Sequence, residues 1–213
     1  IYSLNNEKCT AALIGCISNL EEILIPRSII YKSQEYIVTK IKRRAFIESS
    51  IRSIKFASDS KIRTIEDEAF YTTSIESLTI PSSLIKLKRG WRNETRRLTH
   101  IEVCPNNPRY SVYENKYLIG KSSIEQENYD VLLFCVRDIQ NAVIPDFIEI
   151  IEKYAFDECL NLENIRFSTN SKIRIFDDGF ICCSPIEELS IPSSVVDLKD
   201  GWCRETTKLN KIT

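Results

Sequence analysis

The apolar residues of this chain recur in a fixed order. One stretch reads Ile51, Ile54, Phe56, Ile62, Ile65 and Phe70; the next reads Ile75, Leu78, Ile80, Leu84, Leu87 and Trp91. The shared template is L-x-x-L-x-L, often a proline, then x-x-L-x-x-L, three or four residues, and an aromatic. It begins at Leu20, Ile23, Ile25 and Pro26, and starts again at Leu98, Ile101 and Val103. It resumes at Ile139, Ala142, Ile144, Pro145, Ile148, Ile151 and Phe156, then at Leu162, Ile165, Phe167, Ile173, Phe176 and Phe180. Ile186, Leu189, Ile191, Pro192, Val195, Leu198 and Trp202 follow, and Leu209 and Ile212 open a further unit that the chain end truncates. Without insertions the period is 23 or 24 residues. A longer repeat overlies it: residues 74–101 set over residues 185–212 agree at 15 of 28 positions.

The spacing predicts the elements. The L-x-L alternation is a strand with one buried face, and the proline after it, having no N–H to donate, ends the strand and turns the chain. The next apolar pair suits a helical or tight turn on the outer side. One such unit cannot cover its own apolar face, whereas a stack makes a continuous core. The expected fold is an α/β, β-rich leucine-rich-repeat solenoid of strand-turn units with short helical turns. An aromatic five residues after the last aliphatic follows Ala (Ala45, Ala69, Ala155); one four residues after it follows Gly (Gly90, Gly179, Gly201). The latter reads as a shorter turn needing a glycine backbone. Both tryptophans are expected in the core.

The chain is expected to form one domain, residues 1–213. It comprises a cap or partial unit (1–19), a first repeat block (20–101), a hairpin-like insertion (102–138) and a second, truncated block (139–213). A smaller insertion spans residues 28–36. The larger one holds a tyrosine-rich strand (Tyr110, Val112, Tyr113, Tyr117), a polar loop and the run Val131-Leu132-Leu133-Phe134. It reads as a hairpin joined by residues 120–128, either a functional loop or a continuation of the stack.

Composition narrows the function. Apolar residues at 43% exclude wholesale disorder, and a net charge of −1 gives no electrostatic footprint for nucleic acid. The cluster Lys86, Lys88, Arg89, Arg92, Arg96, Arg97 and His100 reads as solvated surface or an anion site. Its counterpart carries Asp197, Asp200 and Glu205, which favours the former. No apolar run approaches the roughly 18 residues of a membrane span. A start at Ile1 and the absence of methionine read as a fragment or processed product, whose leader or anchor would lie outside it.

The eight cysteines (9, 16, 104, 135, 159, 182, 183, 203) show no CxxC pair and no histidine spacing for zinc. They read as free, mostly buried thiols. Cys159 and Cys183, each three residues after a Phe, are expected buried, and Cys9 with Cys16 is the pair most open to bonding. His100 is the only histidine, so no two-histidine metal site exists, and its counterpart Lys211 makes it an outward strand residue. No phosphate-cradling glycine motif occurs. The acidic clusters Glu66-Asp67-Glu68 and Asp177-Asp178 read as solvated turns rather than calcium ligands. Asn93-Glu94-Thr95 is a sequon that matters only outside the cell. No catalytic, cofactor or metal residues are expected.

What remains is a surface. Between the buried strand residues, Ser53, Lys55, Ser77, Thr79, His100, Glu102, Asn141, Val143, Asn164, Arg166, Glu188 and Ser190 are expected to point outward, in rows about 4.8 Å apart. Such a polar face suits a protein or glycan and does not enclose a small molecule.

AF-x-x-C at residues 155–159 and IPSS at residues 80–83 and 191–194 resemble the BspA-like (Treponema-type) leucine-rich repeats. Tyr110, then GKSS at residues 120–123 and IPD at residues 144–146, look most like trichomonad members. The resemblance implies a right-handed curved solenoid and a non-enzymatic surface adhesin or recognition protein, cell-surface or secreted. Bacterial members are associated with matrix proteins such as fibronectin and fibrinogen. An intracellular scaffold with an unknown protein partner is the alternative, and the cysteines fit it better.

Overall fold

The computed structural model describes residues 1–17 and 20–213; Ser18 and Asn19, the end of the expected cap, lie outside the described residues. Two compact units emerge, Ile1–Arg109 and Tyr110–Thr213, and each is a stack of turns with three sides.

In the first unit the L-x-L segments form one parallel sheet of Glu22–Ile25, Ser53–Phe56, Ser77–Ile80 and His100–Val103. Alternation does what the pattern requires: Ile54 and Leu78 are buried while Lys55 is exposed. A second parallel set runs through Gln34–Ile41, Thr64–Ile65 and Lys86–Leu87. These short strands are what the second apolar pair of each repeat becomes, with Ile41 and Ile65 fully buried. Residues 28–36 form a hairpin, Ser28–Tyr31 against Gln34–Ile41. Its turn residues Lys32 and Ser33 both have positive φ, as a two-residue hairpin turn with the right twist demands. At the start, Tyr2–Asn5 pairs antiparallel with Thr10–Leu13, which runs parallel to Gln34–Ile41.

The second unit repeats the scheme. Val131–Cys135, Ile150–Ile151, Ile175–Phe176 and Asp197–Leu198 are parallel neighbours. The long insertion supplies an antiparallel meander, Tyr110–Tyr113, Tyr117–Gly120 and Val131–Cys135, whose last strand takes a place in the short-strand sheet. Asn141–Ile144 pairs with Asn164–Phe167, and Glu188–Leu189 with Lys211–Ile212.

The third side corrects an expectation: among the described residues it holds no helix. The third residue after the last short-strand aliphatic has positive φ in every full turn: Arg44, Glu68, Gly90, Tyr154, Gly179 and Gly201. So does the seventh: Glu48, Thr72, Glu94, Glu158, Cys183 and Glu205. A left-handed residue every fourth position breaks a right-handed helix. The freed amides turn sideways onto the next turn, as Phe46 N–H does to Ala69 O (3.0 Å), Phe70 N–H to Trp91 O (3.0 Å) and Phe156 N–H to Phe180 O (2.7 Å).

The glycine turns are therefore not shorter. They share the backbone of the alanine turns, with the aromatic moved from the fifth to the fourth place. What glycine supplies at Gly179 is room as well as φ: a Cβ there would lie 2.7 Å from the Tyr154 ring of the preceding turn.

The same shift corrects Cys183. Three residues after Phe180 is the left-handed seventh place, half-buried, whereas Cys159 occupies the buried eighth. The true counterparts of Cys159 are Ser49, which is half-buried, and Thr73, Thr95, Ser184 and Thr206, which are buried. The hydroxyls of Thr73, Thr95, Ser184 and Thr206 donate to carbonyls of the same turn, as Thr95 does to Arg92 O at 2.7 Å, or of the preceding one, as Ser184 does to Phe156 O at 2.7 Å.

Aromatic stacking fills the turn side. Phe46 stacks on Phe70 at 5.2 Å, and Trp91 meets Phe70 edge-on at 5.8 Å. Trp91 is buried as expected, while Trp202, in the last full turn, is half-buried. Leu20, read as the first core aliphatic, is exposed, and Ile212 at the other end is exposed as well. Neither has a neighbouring turn on both sides to cover it.

Candidate partner-binding face

The expected outward residues are placed by strand register. In the first unit Ser53 aligns with Ser77 and Ser77 with His100, while Thr79 aligns with Glu102. Lys55, His100 and Glu102 are exposed; Ser53, Ser77 and Thr79, with small side chains between larger neighbours, are half-buried. In the second unit Asn141 aligns with Asn164 and Val143 with Arg166, all four exposed. Glu188 lies in a separate pair facing Lys211, and Ser190 sits beyond the end of its strand, its hydroxyl 2.8 Å from that of Thr213.

Register adds three residues to the expected set. Glu22 aligns with Ser53, Leu24 with Lys55, and Lys211 with Glu188. The period reaches these first and last units, and their outward positions follow from it by the same alternation.

Neighbouring side chains in these rows bond along the stacking direction. Lys55 Nζ lies 3.0 Å from Glu22 Oε1, Asn164 donates to Asn141 Oδ1 at 3.0 Å, and Lys211 Nζ lies 2.9 Å from Glu188 Oε2. Leu24 and Val143 add apolar surface among them, 64% and 59% exposed. In the second unit the face borders a hollow of about 600 Å³ lined by Gln140, Leu160, Asn164, Pro185, Glu188 and Lys208. Polar groups on rigid strands beside an open hollow suit a protruding loop of another macromolecule.

Elsewhere the charges serve the stack. Arg43 and Arg44 both engage Glu68 of the following turn, at 3.0 and 2.7 Å, and Lys42 reaches Glu66 at 3.3 Å. The Arg43 hydrogen bonds, with help from Arg44, hold the Glu68 carboxyl below the usual range. Asp178 accepts from Lys153 at 2.6 Å. The acidic clusters are thus turn-to-turn clamps rather than merely solvated. Of the basic cluster, Arg92 is buried with its guanidinium 5.7 Å from the Trp91 ring, and Arg97 reaches toward Glu76. His100 is exposed, its Nε2 3.2 Å from Glu102.

The thiols divide. Cys135, Cys159 and Cys182 are buried, Cys9 is exposed and the other four are half-buried, so fewer are buried than expected. Cys9 and Cys16 flank the strand Thr10–Leu13, whose extended backbone alone separates them by about 13 Å. A disulfide requires Cα atoms within about 7 Å.

Comparison with known proteins places this geometry. The profile of the BspA type leucine rich repeat region matches in six copies over residues 16–130 and 127–213. No curated protein matches the chain. Among solved structures, the pneumococcal vaccine antigen PcpA superposes with a TM-score of 0.68 at 20% identity, over 91% of this chain and 50% of that one. A leucine-rich repeat protein from Eubacterium ventriosum gives 0.68 at 19% identity, over 92% and 54%. A leucine rich cell surface protein from Faecalibacterium prausnitzii gives 0.60 at 16%, over 99% and 86%. This chain spans about half the length of the first two. These neighbours are bacterial, and the nearer likeness to trichomonad proteins rests on the sequence motifs alone. Such repeats are generally non-enzymatic modules of protein–protein interaction. With its period, its three-sided turns and this profile over nearly its whole length, the chain belongs to the BspA-type leucine-rich-repeat family.

Proposed function

We propose that this chain is a recognition module, displayed at the cell surface or secreted, that holds a protein partner on its outward strand rows. The observation that carries the reading is the register itself. Polar side chains from successive strands, with Lys55, Glu102, Asn141 and Arg166 exposed among them, align over alternate residues such as Ile54, Leu78 and Ile165 that are buried, so within each unit the face is carried on ordered strands. Leu24 and Val143 supply apolar anchors within a polar field, the composition of an interface rather than of an inert surface. The partner class that fits is an extracellular-matrix or cell-surface protein of a host. The neighbour from F. prausnitzii is described as a cell surface protein and PcpA as a vaccine antigen, which supports an exposed location. Among the described residues no helix is long and apolar enough to cross a membrane.

A second reading has its own support. Buried thiols at Cys135, Cys159 and Cys182 fit a reducing compartment, where the same face would organise intracellular partners. Antibody labelling of intact and permeabilised cells separates the two. Labelling of intact cells supports display; labelling only after permeabilisation sinks the adhesin reading and leaves the scaffold.

A further inference from the structure

Stacking also creates a group that no sequence spacing announces. Asp157 and Cys182 occupy the sixth place of successive turns; Cys183 and Glu205 occupy the seventh place of theirs. Asp157 precedes Cys182 by 25 residues and Glu205 follows Cys183 by 22, so only the register of three turns brings them together. One ligand atom from each of Asp157, Cys182 and Cys183 lies within 4.8 Å of the others. The Cys182 and Cys183 Sγ atoms are 3.5 Å apart, and Cys183 Sγ is 3.3 Å from Glu205 Oε2.

We propose that Asp157, Cys182, Cys183 and Glu205 form a binding site for a thiophilic divalent cation of the zinc and cadmium class. The geometry is close to what such an ion needs. Zinc–sulfur bonds of about 2.3 Å and zinc–oxygen bonds of about 2.0–2.2 Å in a tetrahedron give sulfur–sulfur edges near 3.8 Å and sulfur–oxygen edges near 3.6 Å. The observed 3.5 and 3.3 Å need only a small expansion.

The surroundings are fixed as a binding site requires. Asp157 is 3% and Cys182 7% exposed. The Cys182 carbonyl is held by the Glu158 N–H at 3.1 Å and the Cys182 N–H by the Gly179 carbonyl at 3.0 Å. Arg204, at the sixth place of the last full turn, is drawn to Asp178 at 3.5 Å. Softness of the ligands selects the ion: two sulfurs exclude magnesium and calcium and favour zinc or cadmium.

Binding has a proton signature. A thiol with its ordinary pKa of about 8.5 is mostly protonated at neutral pH, so an arriving cation displaces about two protons as it forms two thiolate bonds. Because Asp157, Cys182–Cys183 and Glu205 belong to three consecutive turns, the ion would tie those turns together.

The test is titration of zinc and of cadmium into the whole, reduced chain by calorimetry in buffers of different ionisation heat, with cadmium binding also read by its ultraviolet thiolate charge-transfer band. The expected result is one ion per chain, about two protons released, the cadmium band, and a Tm that rises with zinc. The Cys182→Ser/Cys183→Ser variant should lose all four. Glu205→Gln, an exposed change with no folding risk, should weaken binding by at least about tenfold, since even residues outside the metal's own ligand set commonly cost about 10–100-fold. Equal binding by the double variant would assign the ion to other thiols and overturn the site. Unchanged affinity in Glu205→Gln would overturn it equally, as would no binding to the parent chain.

Discussion

Phe180 and Trp202 lie face to face, ring centroids 5.8 Å apart and planes 17° from parallel, though they belong to successive turns and meet only because both occupy the fourth place after a short strand. Phe180 is buried and also touches Phe176 at 4.4 Å and Phe156 at 6.5 Å. Phe180→Ala should therefore cost about 3–5 kcal/mol. Trp202→Ala, at a half-buried site, should cost about 1–2 kcal/mol. Urea unfolding of both variants checks the order, and an equal loss would contradict a core that weakens toward the last turn.

Gly179→Ala tests the claim that glycine supplies both conformation and space. The left-handed φ of +61° and the Tyr154 ring at 2.7 Å from a new Cβ should together destabilise the chain by at least about 1–2 kcal/mol. Adding Tyr154→Ala removes the collision and leaves the φ penalty, so the double variant should lose less than the two single losses summed. Strict additivity in thermal unfolding would refute the steric part.

How much of this was legible beforehand follows from what each signal encodes. Burial of Ile54, Leu78 and Ile165 is written in the period, and so are the strands that carry them. The left-handed residues Arg44, Glu68 and Tyr154 are not, since none is glycine and nothing local marks them; the stacked turns hold them in place through their lateral bonds. Cys183 was misplaced because counting from the aromatic fails once the aromatic shifts by one position. The grouping of Asp157, Cys182, Cys183 and Glu205 was invisible because register, not spacing, assembles it.

Glu68 sets an acid limit on the first unit. Its folded pKa is lowered by Arg43 and Arg44, so its contribution is present above the unfolded value of about 4.3 and is lost as pH falls through the lower folded value. Glu68→Gln should flatten the fall of Tm below about pH 5 and cost under about 1 kcal/mol at neutral pH, since both arginines are half exposed. An unchanged acid limb would assign the sensitivity elsewhere.

Ser184→Ala removes a buried hydroxyl that donates to the Phe156 carbonyl at 2.7 Å. That carbonyl keeps the Cys159 amide at 3.3 Å, so the expected loss is modest, about 1 kcal/mol. Ser184→Cys, mimicking the Cys159 position, should lose less. Chemical denaturation distinguishes them, and a Cys variant weaker than the Ala variant would argue against equivalence of the two places.

On the outward rows, Lys55→Glu and Arg166→Glu should leave stability within about 0.5 kcal/mol and weaken capture by immobilised extracellular matrix by about tenfold or more. Full retention by both variants would remove the strand rows as the binding face.

The sideways bonds of the tight turns carry a mechanical consequence. Phe46 to Ala69 and Phe70 to Trp91, like the strand ladders beside them, join one turn to the next, along the direction in which the turns are stacked. Tension applied along that direction loads a single layer of such bonds at a time, as in a zipper, rather than shearing many at once. Each unit should yield layer by layer at low, nearly constant force and close again when released. A molecule built this way gives way to a fluctuating pull turn by turn without being torn open in one event.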